Sequence, residues 1–166
     1  MGLINGELTN RENVIINKNL LEIYREFRII ALKKGIEFRY DFTLDDQESE
    51  IISNSRMINT LISNLIKNAI SVTESGYISF GYIKKGVDLE FYVSDSRKGL
   101  SNEEIKLLSW NRNSNGNITT ADVKDSSNLK ECICLLKDLG GIMRMESDPF
   151  TGSVFYFTIP YNRNQN

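Results

Sequence analysis

The hydrophobic period of this chain switches repeatedly between that of a helix and that of a strand, which confines it to folds mixing the two. Residues 17–34 carry Leu20, Tyr24, Phe27 and Ala31 on one helical stripe. Lys33 and Lys34 close that stripe and Gly35 follows, a composition that stops a helix. Ile36, Phe38, Tyr40 and Phe42 then alternate strictly with Glu37, Arg39 and Asp41, which describes a strand with one wet face. A second helix is expected over 55–72, its core stripe carried by Ile58, Leu61, Leu65, Ala69 and Val72. A hairpin follows, over 77–83 and 87–94, turning at 84–86. Ser101 and Glu104 form a capping box that opens a short helix to about residue 108. Residues 110–128 are polar and aperiodic, and a loop of that length inside a compact domain is functional or disordered. Leu129, Cys132, Leu136 and Leu139 make another helix, stopped by Gly140 and Gly141, and strands over 142–147 and 153–159 close the order. No internal repeat and no domain boundary interrupts it.

Composition narrows the function classes. A length of 166 residues suits one domain with a substantial core. The net charge of −2 gives no ground for a nucleic-acid surface or an acidic membrane partner. No apolar run approaches the roughly 20 residues that span a bilayer, and no signal peptide is recognisable, so no direct membrane contact is expected. Cys132 and Cys134, two apart on a helix, point to different faces, which suits neither a disulfide nor a metal pair. They read as reduced thiols in a reducing compartment, so a cytoplasmic location is expected. The chain contains no histidine, so no imidazole is available for acid–base chemistry, metal ligation or accepting a phosphoryl group.

Three polar intrusions stand at the ends of apolar elements. Val87, Leu89, Phe91 and Val93 share one face of the second hairpin strand, and Asp95 continues the count on that face. An inward carboxylate costs several kcal/mol unless it gains a partner. The partner is either a ligand offering donors, such as the amino group of adenine, or a local turn amide or helix start. On the second helix Asn64, Asn68 and Ser71 fall at i, i+4 and i+7, a polar stripe beside the apolar one. It is either a solvated face or a set of amides that hold a metal–phosphate group, Mg²⁺ being a hard cation that prefers oxygen. Ser153, in phase with Phe155, Phe157 and Ile159, puts a small hydroxyl at the head of an apolar face, bonded either locally or to a ligand.

These residues carry a resemblance that runs nearly end to end. Segment 61–73, with Asn64 and Asn68, resembles the N-box of the ATP-binding catalytic domain of two-component sensor histidine kinases, within the wider superfamily of gyrase, heat-shock-90, histidine-kinase and mismatch-repair ATPases. Segment 77–95 resembles that family's central hairpin, and 139–160, with Gly152-Ser153-Val154-Phe155, its closing strands. The resemblance implies an α/β (α+β) two-layer sandwich, a mixed, mainly antiparallel sheet covered on one face by helices. It implies ATP and Mg²⁺ as cofactors, with Asn68 the Mg²⁺ ligand and Asn64 the polar residue near the phosphates and candidate catalytic group. It implies Asp95 as the adenine reader, Ser153 as a second adenine contact, and Gly99 as a nucleotide-binding turn residue. Residues 1–16 are similar to the link that leaves the dimerisation region of such kinases, which makes 17–160 the ATPase-like domain and 161–166 a tail. The implied partners are the dimerisation and phosphoacceptor domain of the same longer protein and a response-regulator receiver domain.

The departures from the family are informative. Its Asp-x-Gly-x-Gly is here Asp95-Ser96-Arg97-Lys98-Gly99, so Arg97 replaces a glycine that lets the backbone approach the nucleotide. Its second glycine box aligns to residues 124–129, which hold none of the three glycines. The Lys that usually follows the N-box alanine is Ser71. Adenine and Mg²⁺ contacts survive, whereas the parts that serve the triphosphate and lid closure are lost. Two functions follow: phosphoryl transfer from ATP to a histidine on a separate domain at a degenerate, weakly binding site, or a non-catalytic scaffolding module that acts by protein–protein docking.

Overall fold

The computed structural model describes residues 10–96, 127–148 and 150–163. Arg97, Gly99, the expected helix over 101–108 and the loop from 110 to 126 lie outside the described residues. The elements are β1 (Glu12–Ile15), α1 (Ile16–Lys33), β2 (Ile36–Phe42), β3 (Glu50–Ser53), α2 (Ser55–Val72), β4 (Gly76–Lys85), β5 (Asp88–Asp95), α3 (Ser127–Leu139), β6 (Ile142–Asp148) and β7 (Gly152–Pro160). Five strands form one sheet in the order β2-β4-β5-β7-β6. Among the described strands, only the β2–β4 pair is parallel. The fold is therefore the expected α/β sandwich, a mixed and mainly antiparallel sheet with helices packed on one face.

Strand alternation decides which face that is. Ile78, Phe80 and Tyr82 of β4, Leu89, Phe91 and Val93 of β5, and Phe157 and Ile159 of β7 are buried in one core. The helices meet them with Leu20, Ile23 and Phe27 of α1, Ile58, Leu61, Leu65 and Ile66 of α2, and Cys132 and Leu136 of α3. Ring stacking knits the layer laterally, with Phe91 and Phe157 4.8 Å apart and parallel, and Phe38 and Phe80 5.2 Å apart. The opposite face is polar, and there Glu90 is held by Lys85 at 3.2 Å and Arg144 at 3.4 Å.

Asn54 caps α2, its side chain accepting from Met57 N–H at 3.0 Å. Residues 43–49, between β2 and β3, are tied down by Asn17. Its Nδ2 donates to the Leu44 carbonyl at 2.9 Å and to Asp46 Oδ1 at 3.0 Å, and Tyr82 Oη donates to its Oδ1 at 2.6 Å.

Several local expectations change in the structure. Residues 12–15, expected in the linker, form β1, which pairs antiparallel with β3. Val14 and Ile16 are buried. Tyr161, expected in the tail, donates its N–H to Val87 O at 2.9 Å, and Asn162 O accepts from Ile52 N at 2.7 Å. The hairpin turns at Gly86 and Val87, since Lys85 pairs with Asp88. Val87 is therefore 81% exposed rather than on the apolar face. Val72 is 41% exposed in the last turn of α2, where Ile66 and Ile70 take the buried positions. The third helix begins at Ser127, two residues earlier than its apolar stripe suggests.

Candidate functional site

One end of the sheet gathers the polar residues that stood out along the apolar faces. Asp95, the last residue of β5, is 4% exposed and lies directly opposite Ser153, which is fully buried, on β7. The row continues in both directions, to Ile78 on β4 and Ser147 on β6. Ser147 Oγ and Ser153 Oγ are 2.8 Å apart and share a hydrogen bond. A carboxylate and two hydroxyls thus stand side by side across three strands, at the rim of an apolar face.

Local chemistry fixes this rim. Asp148 Oδ1 accepts from the N–H groups of Phe150 at 2.8 Å and Thr151 at 3.0 Å, shaping the turn between β6 and β7. Those bonds, the Phe150 N–H first, hold the Asp148 carboxyl below its ordinary value. Gly152 follows with φ 113°, and a Cβ there would overlap the carbonyl oxygen of Asp95. Glycine is what lets β7 approach β5 closely enough to set Ser153 beside Asp95. On the other side of β5, Ser96 Oγ accepts from Tyr77 N at 2.8 Å and Ser96 N donates to Tyr77 O at 3.1 Å, which pins the strand end.

Helix α2 runs toward this same end, because its C-terminus leads into β4 beside Asp95. Helix α3 runs the opposite way: Gly140 and Gly141, just past it, lie against Pro160 and Thr158 at the far end of β7. The start of α3 therefore flanks the last turns of α2. Asn64 and Asn68 lie half-buried along α2. Asn64 Nδ2 donates to Glu131 Oε2 of α3 at 2.9 Å. Next to it, Cys132 Sγ lies 3.9 Å from the Leu61 carbonyl. Burial first, and then the Glu131 charge, push the Cys132 thiol up to about 12. Ser71 Oγ donates to the Asn68 carbonyl at 2.7 Å, so that part of the polar stripe folds back on its own helix.

Two groups at this end escaped the sequence reading. Ser147 was legible in principle, since it continues the inward phase of Met143 and Met145 on β6. Thr73, just after α2, is fully buried, and its Oγ1 has no hydrogen-bond partner among the described residues. Among the described residues, no three His, Cys, Asp or Glu side chains cluster as a metal site. No helix of the described residues is long and apolar enough to cross a membrane.

The described architecture is a mixed, mainly antiparallel five-stranded sheet with helices on one face and its polar groups gathered at one sheet end. Histidine-kinase catalytic domains have this fold. That of ThkA, nucleotide-free, superposes with a TM-score of 0.75 at 21% identity, covering 94% of this chain and 100% of that one. Full-length ShkA in complex with AMPPNP superposes with a TM-score of 0.70 at 19% identity, covering 92% of this chain and 31% of that one. In sequence, the chain is similar to sensor histidine kinases. It is 28% identical over 144 residues to the sensor protein EvgS of Escherichia coli K12, covering 84% of this chain and 12% of that protein. It is 25% identical over 146 residues to the adaptive-response sensory kinase SasA of Synechococcus sp. CC9902, covering 87% of this chain and 38% of that protein. No protein-family profile matches. The chain thus spans between about an eighth and two fifths of these relatives' length.

Proposed function

We propose that this domain binds an adenine nucleotide at the Asp95–Ser153 end of its sheet and works within a longer sensor histidine kinase. The observation that carries the reading is the buried Asp95 carboxylate set opposite the buried Ser153 hydroxyl. An acceptor-only carboxylate at an apolar rim suits the exocyclic amino group of adenine, and a serine hydroxyl suits a ring nitrogen. Asn64 and Asn68, on the helix that ends at this pole, suit the phosphate side. Their amide oxygens are hard neutral donors that fit Mg²⁺, which supplies charge neutralisation to a bound polyphosphate. Gly99 is carried as a further nucleotide-binding candidate by its match to the family's Asp-x-Gly-x-Gly pattern alone.

In this reading the chain positions ATP for transfer to a histidine of a separate dimerisation domain, since it has no histidine itself. Such transfer rests on positioning and charge stabilisation. A response-regulator receiver domain is the onward partner, as in the neighbouring fold of ThkA in complex with the response regulator protein TrrA. The expected location is the cytoplasm, free or as the inner part of a membrane-bound sensor.

Specific residues favour a second reading, a regulatory or scaffolding module that docks to neighbouring helices. Arg97 stands at a glycine position, and segment 124–129 lacks the glycines of a phosphate-binding lid. On both readings ATP binds no tighter than about 1 mM, roughly −4 kcal/mol. Calorimetric titration with ATP and Mg²⁺ tests this. Weak binding that disappears in Asp95→Asn supports a degenerate adenine site, whereas micromolar binding restores a fully competent kinase site.

A further inference from the structure

One edge of the main sheet carries a pattern that nucleotide binding does not use. Among the described residues β2 pairs with β4 alone, which leaves its other side as a sheet edge. Such an edge offers backbone N–H and C=O groups to any strand that can match them. The outer face of β2 alternates in sign, with Glu37, Arg39 and Asp41 all exposed. Arg39 Nε and Nη2 donate to Glu37 at 2.8 and 2.6 Å, and the guanidinium lies over the Tyr77 ring. A guanidinium has five N–H donors, so it can take a second carboxylate. On the inner face Tyr40 is 43% exposed, although its ring centroid lies 4.6 Å from Tyr24 and 4.8 Å from Phe42. Leu21, Arg28 and Leu32 share the α1 stripe of Tyr24, and Leu32 is also exposed. On β6, the other edge strand, the inner Met143 and Met145 are already buried.

We propose that the β2 edge pairs antiparallel with the β2 edge of a second copy of this chain, in a two-fold register centred on Tyr40. Charge complementarity selects this occupant and this register. Charged side chains on an edge ordinarily discourage pairing, but an alternating row becomes self-complementary when it is shifted by one residue. Centred on Arg39, the pairing would oppose Arg39 to itself and Glu37 to the second copy's Asp41, and both contacts repel. Centred on Tyr40, each Arg39 faces the second copy's Asp41, and the two exposed Tyr40 rings meet at the axis. A centre on Phe38 opposes Glu37 to Arg39, which are already paired within one chain, and it sets two buried phenylalanines at the axis. The Tyr40 centre therefore gains both a new ion pair and new apolar contact. The interface is isologous and extends the sheet across the axis. Because β4 separates β2 from Asp95, the inference goes beyond the nucleotide reading and does not depend on it.

The test is sedimentation equilibrium of the whole chain, of Arg39→Glu, of Asp41→Arg, and of an equimolar mixture of the two variants. A short strand-edge interface is small, so the parent chain should dimerise weakly, with a constant of about 0.1–1 mM. Added salt should weaken that dimer, because exposed charges are screened. Either variant alone should associate roughly tenfold more weakly, since two symmetry-related attractions become repulsions. The mixture should recover the parent's association. There the introduced acid of one copy meets the introduced arginine of the other, and the retained Asp41 meets the retained Arg39. Recovery also shows that both variants fold. A parent chain that stays monomeric up to ~1 mM overturns the proposal. A dimer that D41R leaves intact overturns it too, because that result fits the Phe38 centre or another surface. Loss in both variants with no recovery in the mixture likewise overturns it.

Discussion

Asp95 and Ser153 face each other on adjacent antiparallel strands, both buried, and Gly152 is the residue that makes the approach possible. The pair has a steric cause in the backbone and an electrostatic demand in the side chains. An inward carboxylate accepts hydrogen bonds and donates none, which makes it a selective reader of donor groups.

The steric cause is directly testable. Gly152→Ala combines a φ of 113° with overlap on the Asp95 carbonyl, so it should lose at least about 3 kcal/mol. Gly35→Ala, at φ 71° with open space around it, should lose only about 1 kcal/mol. Urea melts of the two variants should separate them clearly, and equal losses would contradict the close-approach argument.

The buried network of Tyr82 and Asn17 has both a mutational and a pH signature. Tyr82→Phe removes the 2.6 Å bond and leaves Asn17 Oδ1 underused, which should cost about 1–2 kcal/mol. Burial pushes the Tyr82 hydroxyl up to about 12. Its folded value thus lies above the ordinary value of about 10, so the stabilisation is complete below pH ~10 and is lost as pH rises through 12. Denaturant midpoints across that range should fall for the parent chain and more shallowly for Tyr82→Phe.

Thiol reactivity should split. Cys134 is exposed and Cys132 is buried beside Leu61. An aromatic disulfide reagent should modify Cys134 at once and Cys132 only on unfolding, because the reactive thiolate is suppressed there. Two equally fast thiols would contradict the packing of α3 on α2.

Phosphorylation supplies a negative expectation. With no histidine in the chain, incubation with ATP alone should leave no acid-labile label on it. A phosphohistidine-like label on the purified chain would contradict any account in which the acceptor is elsewhere.

Much of this was legible because alternation is a strict signal. The count from Leu89 to Asp95, and from Phe157 back to Ser153, set both residues on the inner face, and the sheet register makes them neighbours. Strand pairing itself was not readable from either strand alone. The β1–β3 ribbon was missed because four-residue strands hold too little periodicity to show. Val87 was misplaced because a two-residue turn ends the alternation one position later than the turn-rich composition suggests. Thr73 carries no pattern at all, and only its burial marks it. The Asn64–Glu131 contact spans 67 positions and depends on how two helices pack.

The central claim is that the Asp95–Ser153 pair is where an adenine ligand is read. The most direct measurement is a backbone-amide chemical-shift titration with adenosine up to about 10 mM, enough to fill most of a site with a ~1 mM constant. The account predicts saturable shifts at Asp95, Ser153 and Ser147 that vanish in Asp95→Asn while the remaining spectrum is preserved. Shifts confined to other parts of the domain, or none at these residues, would contradict it.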